Sequence, residues 1–350
     1  MNTPGSDPVP VLDASLLTSI EEHATALARR AGSLLMELFQ RDLQVQYKSE
    51  GKKDPVTNAD KQAETLVMEG IRGKFPNHGI LSEETPDTQA NNSDFLWVID
   101  PLDGTSNYIN RYPFFSVSIG VLHRGVPVAG ALFIPWPLAK GGHVIHASAG
   151  NGAFADDTPV HVFDQPEPTS TGLFMLPPST WAQFSVGKGL RGTIGDMRVT
   201  GSIAYELALV ASGALQYAAF SAPKIWDVAA GILIIQEAGG NALAYTSTHR
   251  WTPLRSFLEQ ATGLSANGDL RKWHAGVLVG NGPLVKLVAD NLRPRRSLKR
   301  WLRRLRVTRW VRARAKGRSV PSPAEGKSGS QADRPHASGR HPPPNDSTRK

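Results

Sequence analysis

The chain has 350 residues, which at about 100–200 residues per domain is enough for one large or two medium domains with a substantial buried core. Its net charge of +8 is split: residues from Arg293 onward hold 18 of the 39 basic and 3 of the 31 acidic side chains, so the tail stands near +15 and the body near −7. With no cysteine at all, a disulfide framework, a thiolate zinc site and a cysteine nucleophile are excluded.

The start, MNTPGSDPVP, has neither a basic n-region nor an apolar h-region, and no run reaches the roughly 20 apolar residues of a membrane-spanning helix. A soluble, cytoplasmic protein is expected. After this arm (residues 1–15), Leu16 to Phe39 places Ile20, Ala24, Leu27, Ala31, Leu34, Leu35 and Leu38 at helical spacing and predicts an amphipathic helix. The polar stretch QVQYKSEGKKDPVTNAD reads as a loop or hairpin, and Asp60 to Gly73 resumes a helical pattern. From Phe95, four β-rich runs (FLWVID, FFSVSIGVLHRG, VPVAGALFIP and GGHVIHAS) predict an antiparallel sheet with hairpin connections. The Pro-rich stretch from Asp164 divides an N-terminal α+β part (16–163) from a C-terminal α/β part (164–292). In the latter, GSIAYELALVASGALQYAAF is a helix running into a strand, WDVAAGILIIQEAGG is a helix closed by Gly-Gly, and Gly276 to Gly280 is a last buried strand.

The densest chemical signal is Trp97 to Asn110, WVIDPLDGTSNYIN. Asp100 and Asp103 emerge at a strand end, and Gly104, Thr105 and Ser106 follow where free N–H groups would face an anion. Read alone, the same residues make an ordinary Asp-Gly turn or helix cap. Glu83 and Glu84 end a short apolar run and could be a surface pair, while Asp60 and Asp227 could simply start helices. Hard cations such as Mg²⁺ need several oxygen ligands, and with no Cys and no HExxH pair a carboxylate–magnesium site is favoured over a zinc hydrolase.

These residues resemble the inositol monophosphatase family of magnesium-dependent, lithium-sensitive phosphomonoesterases. The matching segments are VIDPLDGTSNYIN (Val98 to Asn110), WDVAAGILIIQEAGG (Trp226 to Gly240), the DxVTxxDK stretch from Asp54 to Lys61, and the acidic pair of LSEET. The resemblance spans about Leu16 to Leu292 and implies an α+β sugar-phosphatase fold layered αβαβα in two subdomains. It implies that Glu83, Asp100 and the Leu102 carbonyl hold one Mg²⁺ and that Asp100, Asp103 and Asp227 hold a second. Lys48 would lie near a third, weaker ion. Asp60 and Thr105 would deprotonate the attacking water, with Glu83 counted among the catalytic residues through its metal. The Gly104 and Thr105 amides would hold phosphate beside Ser106, and Gly201, Ser202 and Ile203 would line a sugar-ring pocket. Seven residues before Asp227, where many inositol phosphatases carry a glutamate that bonds ring hydroxyls, stands Phe220, which accepts no hydrogen bond. The resemblance makes an inositol monophosphate the expected substrate, while Phe220 keeps open a 3′(2′),5′-bisphosphate nucleotide, histidinol phosphate or fructose 1,6-bisphosphate; Lys224 would suit a second anionic group or be simply a solvated lysine. A homodimer is expected, as in families of this kind.

The tail stands outside the resemblance. Between Arg293 and Arg318, Leu298, Trp301, Leu302 and Leu305 form an apolar stripe flanked by arginines, which suits an anionic membrane surface at about 1 kcal/mol per basic residue, or nucleic acid. Such a tail would make the protein peripheral to a membrane, or would be a solvated extension with no dedicated partner; a retired body serving only as scaffold for it is the alternative of another class. Residues 319–350 are low-complexity and expected to be disordered.

Overall fold

A computed structural model describes residues 12–47, 55–85, 93–136, 141–176, 184–190, 194–246, 250–259 and 269–294. All of them lie in the first of two units into which the chain divides, Met1–Arg295. Lys48, Asp54 and the tail stripe lie outside the described residues.

The predicted N-terminal helix is α1, Ala14–Leu38. Asp13 caps it by accepting a hydrogen bond from the Ser15 N–H, and Ile20, Ala24, Leu27, Ala31, Leu35 and Leu38 are buried; Leu34, at the margin of the stripe, is half-buried. The polar stretch that follows contributes an antiparallel pair, Val45–Tyr47 (β1) and Pro55–Thr57 (β2). Helix α2, Asn58–Lys74, begins with a capping box in which Thr57 is the cap and Asp60 the third helical residue.

Seven strands form the larger sheet in sequential order: Gly79–Ser82 (β3), Phe95–Asp103 (β4), Ser116–His123 (β5), Val126–Ile134 (β6), His143–Ser148 (β7), Ala153–Ala155 (β8) and Thr158–Pro159 (β9). From β4 onward every pairing is antiparallel, as the turn-separated runs predict. The edge strand β3 runs parallel to β4. Alternation assigns the faces: Trp97, Ile99, Val117, Ile119 and Val121 pack toward α1 and α2, while Val98 and Leu122 join the opposite cluster.

Three short strands follow, Leu173–Phe174 (β10), Phe184–Val186 (β11) and Asp196–Met197 (β12), β10 pairing with β12. After the short helix α3, Thr105–Ile109, come α4, Ile203–Ala211, and α5, Ile225–Glu237. A second sheet holds Tyr217–Phe220 (β13), Gly240–Tyr245 (β14), Trp251–Pro253 (β15) and Gly276–Asn281 (β16), antiparallel in the order β13-β16-β14-β15. Its outer face is covered by α6, Gly282–Asn291, and the strand Leu292–Pro294 (β17) pairs with β11. The layers therefore run α1/α2, seven-stranded sheet, α4/α5, four-stranded sheet, α6: the αβαβα order that the resemblance implies.

Close approach of α5 to the larger sheet depends on two register partners, Gly120 and Gly130. A Cβ on Gly120 would lie 2.8 Å from the Ala230 nitrogen, and one on Gly130 would lie 2.9 Å from the Ala230 Cα. Both obstacles are helix backbone, which cannot rotate away. Gly120→Val is expected to lower stability by about 1–3 kcal/mol in urea titration, and because α5 carries Asp227, to weaken cation binding as well.

Candidate metal centre and active site

The site is built where β4 ends. Pairing of β4 with β5 aligns Asp100 with Ser118 and Asp103 with Ser116, so three residues of β4 span two of β5. In a regular strand, side chains three residues apart point to opposite faces. The extra residue, at Pro101–Leu102, returns Asp103 to the face of Asp100. Proline is tolerated there because a bulge leaves its missing donor without consequence.

Asp227 arrives from the other side as the third residue of α5, its Oδ2 accepting a 2.7 Å bond from the Lys224 N–H. The start of α5 is tied to the sheet by the buried Ser118 hydroxyl, which donates to the Trp226 carbonyl at 2.9 Å. As a result Asp100, Asp103 and Asp227 each place an oxygen within 4.8 Å of the others. Glu83 follows β3, its N–H donating to the Ile99 carbonyl at 3.1 Å as an extension of the parallel ladder. Its charge acts on all three aspartates.

Electrostatics records this crowding. Burial, then the charges of Glu83, Asp103 and Asp227, hold the Asp100 carboxyl well above the usual carboxylate range. Burial likewise pushes Asp103 up to about 7, with Glu206 and Glu83 adding to it against hydrogen bonds from Ser202 and Ala204. Asp227 is raised well above its ordinary value by burial, then by Asp103 and Glu83, with Lys224 opposing. Like charges so placed are satisfied together only by a cation or by protons. The donor set is all oxygen, which fits a hard dication.

Beside this cluster stands a hydroxyl–carboxylate pair. Asp60 Oδ2 accepts from the Thr57 N–H (2.8 Å) and hydroxyl (2.6 Å), and its Oδ1 lies 3.2 Å from Thr105 Oγ1. Burial raises the Asp60 pKa, opposed by the bonds from Thr57 and Thr105. Thr105 Oγ1 is also 3.1 Å from the Leu102 carbonyl, so the pair is joined directly to the bulge. Gly104 has φ +90°, and a Cβ there would meet the Phe114 carbonyl at 3.0 Å and the Ser202 Cβ at 3.1 Å, so glycine is required on both counts. It turns the chain into α3, whose first N–H groups have no intrahelical acceptor; Ser106 is exposed on that turn.

The predicted ring-pocket residues meet the acids at one point. The Ser202 hydroxyl and the Ala204 N–H both donate to Asp103 Oδ2 at 2.6 Å, while Gly201 is exposed and Ile203 half-buried beside them. Phe220, 3 % exposed, lies in β13 within the apolar cluster that includes Trp226 and Trp273. Sequence reading missed the supports of these residues. Glu206, 3 % exposed, accepts from the Thr200 N–H and hydroxyl and from the Gly201 N–H. Asn107 donates to the Phe114 and Thr200 carbonyls. Thr57 was findable, since Thr-x-x-Asp before a helical pattern is a capping signature; nothing local marks the other two.

A layered α+β body with clustered carboxylates beside a hydroxyl–carboxylate pair defines a class, the metal-dependent phosphoric monoester hydrolases. The comparisons with known proteins agree, and the chain belongs to the inositol monophosphatase family, whose sequence profile matches residues 16–279. The Nus factor SuhB of Haemophilus influenzae is 36% identical over 222 residues, covering 62% of this chain and 82% of that protein. The chloroplastic phosphatase IMPL1 of Arabidopsis thaliana is 34% identical over 220 residues, covering 61% of this chain and 59% of that one. Among solved structures, the inositol monophosphatase of Anabaena (Nostoc) sp. PCC 7120 superposes with a TM-score of 0.58 at 29% identity, covering 79% of this chain and 95% of that one. No helix among the described residues is long and apolar enough to cross a membrane.

Proposed function

We propose that this phosphatase hydrolyses inositol monophosphate, a small polyol phosphate, with Mg²⁺ as its metal and without a covalent phosphoenzyme. The observation that carries this reading is the approach of Asp100, Asp103 and Asp227 to within 4.8 Å next to the Asp60–Thr105 pair. Glu83, Asp100, the Leu102 carbonyl, Asp103 and Asp227 would hold two ions. Bound there, Mg²⁺ would lower the pKa of a water and offset the charge of the phosphoryl oxygens. Thr105 Oγ1, donating to Asp60 Oδ1, keeps its lone pairs for the hydrogen of an attacking water, and Asp60 is the final proton acceptor. The Gly104 and Thr105 N–H groups bind phosphate oxygens, with Ser106 at the rim.

Gly201, Ser202 and Ile203 flank the leaving group. Phe220 supplies no acceptor for ring hydroxyls, so recognition of the polyol falls to the groups around Ser202 and the N-terminus of α4. A homodimer is part of this reading.

Phosphate release measured over inositol 1-phosphate, adenosine 3′,5′-bisphosphate, histidinol phosphate and fructose 1,6-bisphosphate, with Mg²⁺ and with added Li⁺, is the test. The highest kcat/KM is expected with inositol 1-phosphate. A higher value for one of the others would move the substrate assignment to it, and no Mg²⁺-dependent release from any of them would end the hydrolytic reading.

A further inference from the structure

Arg271 lies in the 3-10 turn Leu270–Lys272, far along the chain from every acidic residue of the site. Its Nη2 donates to the Ser82 carbonyl and to the Thr85 carbonyl, each at 2.6 Å, and its Nη1 reaches the Glu83 carbonyl at 3.5 Å. The guanidinium also sits 5.6 Å from the ring centroid of Trp226, the residue before Asp227. One side chain thus touches the turn that carries Glu83 and the helix start that carries Asp227.

We infer that Arg271 is a positioning residue that clamps the Glu83 turn to the N-terminus of α5 and so sets the spacing of the acidic site. The inference rests on the metal-site reading above. The bond from the Glu83 N–H to the Ile99 carbonyl is the last of the parallel ladder, and the carbonyls of the turn need other donors. The far side of the same turn is held by Glu64 of α2, which accepts from the Thr85 N–H at 3.0 Å and hydroxyl at 2.8 Å. Between these two supports the turn has little freedom, although Glu83, Asp100, Asp103 and Asp227 repel one another. Arginine suits the task because its planar fork reaches several carbonyls while its face lies against an indole; a lysine ammonium does neither as well. Its own backbone is fixed by Asp269, whose carboxylate accepts from the Arg271 N–H at 3.1 Å.

The test is Mg²⁺ titration by calorimetry on the full-length chain, without substrate, for the wild type, Arg271→Ala, Arg271→Lys and the neighbouring control Lys272→Ala. Circular dichroism in EDTA checks folding. Arg271→Ala is expected to bind Mg²⁺ about tenfold more weakly or worse, Arg271→Lys to fall between it and the wild type, and Lys272→Ala to match the wild type. Phosphate release by the arginine variants should recover toward the wild-type rate as Mg²⁺ is raised, which a general loss of structure would not allow. Wild-type Mg²⁺ affinity in folded Arg271→Ala overturns the inference and leaves the metal site standing; if that variant does not fold, the same result in Arg271→Lys overturns it. A wild type that takes up no Mg²⁺ overturns the metal-site reading, and the clamp with it.

Discussion

Asp103→Asn is expected to abolish Mg²⁺-dependent phosphate release, with a loss of about a thousandfold or more, because a metal ion at such a site contributes several kcal/mol to the transition state. The substitution removes one charge and little else. Asp103 Oδ2 accepts from the Ser202 hydroxyl and the Ala204 N–H, and an amide oxygen can accept both. The apo fold should therefore survive, and it should gain from relief of like-charge repulsion. Thermal unfolding separates the two effects: in EDTA the variant should melt at or above the wild-type temperature, while Mg²⁺ should raise the melting temperature of the variant less than that of the wild type. A variant that releases phosphate at the wild-type rate would remove Asp103 from the site.

The same charges predict how pH acts on the cation-free protein. Asp100, Asp103 and Asp227 all have pKa values raised in the folded state, Asp103 to about 7. A raised pKa means that the folded chain keeps protons the unfolded chain has released, so this contribution to stability is complete below the unfolded value near 3.8 and is lost as pH rises through the folded value. Melting temperatures in EDTA should thus decline between about pH 4 and 7, and Mg²⁺, taking the place of the protons, should flatten the decline.

Asp60→Asn is expected to lower kcat by about 10²–10⁴-fold with Mg²⁺ affinity retained, the size of effect general bases show. The amide oxygen can still accept from the Thr57 N–H and hydroxyl, and Thr105 can turn its hydrogen to the Leu102 carbonyl 3.1 Å away. On the proposed mechanism, what is lost is the proton acceptor at the end of the relay. A pH–rate profile measured alongside Mg²⁺ titration checks this: unchanged kcat would assign Asp60 to capping α2 and nothing more. Both readings of Asp60 are present in the structure, since the carboxylate that completes the capping box through one oxygen faces Thr105 through the other.

Much of the body was legible from near neighbours along the chain. The buried stripe of α1, the alternation of β4 and β5, and the Gly-Gly stop of α5 are local patterns, because helix and strand periods are set within a few residues. The acidic pair at the end of β4 was legible for the same reason, and so was the match to a family by ordered motifs. That Asp100 and Asp103 share a face was not, because it depends on the register shift against β5, a property of two strands together. Nor was the arrival of Asp227, which requires α5 to approach the sheet as closely as Gly120 and Gly130 allow. Glu206, Asn107 and Arg271 are ordinary residues in their own sequence neighbourhoods, and their importance comes from backbone groups that tertiary folding brings to them. The sequence by itself determined which side chains could bind a hard cation and which segments would carry them. Only the tertiary structure decided their distances, their shared burial and hence their raised affinity for protons or metal, because electrostatic energy depends on separation and solvent exclusion, neither of which is written in the order of the residues.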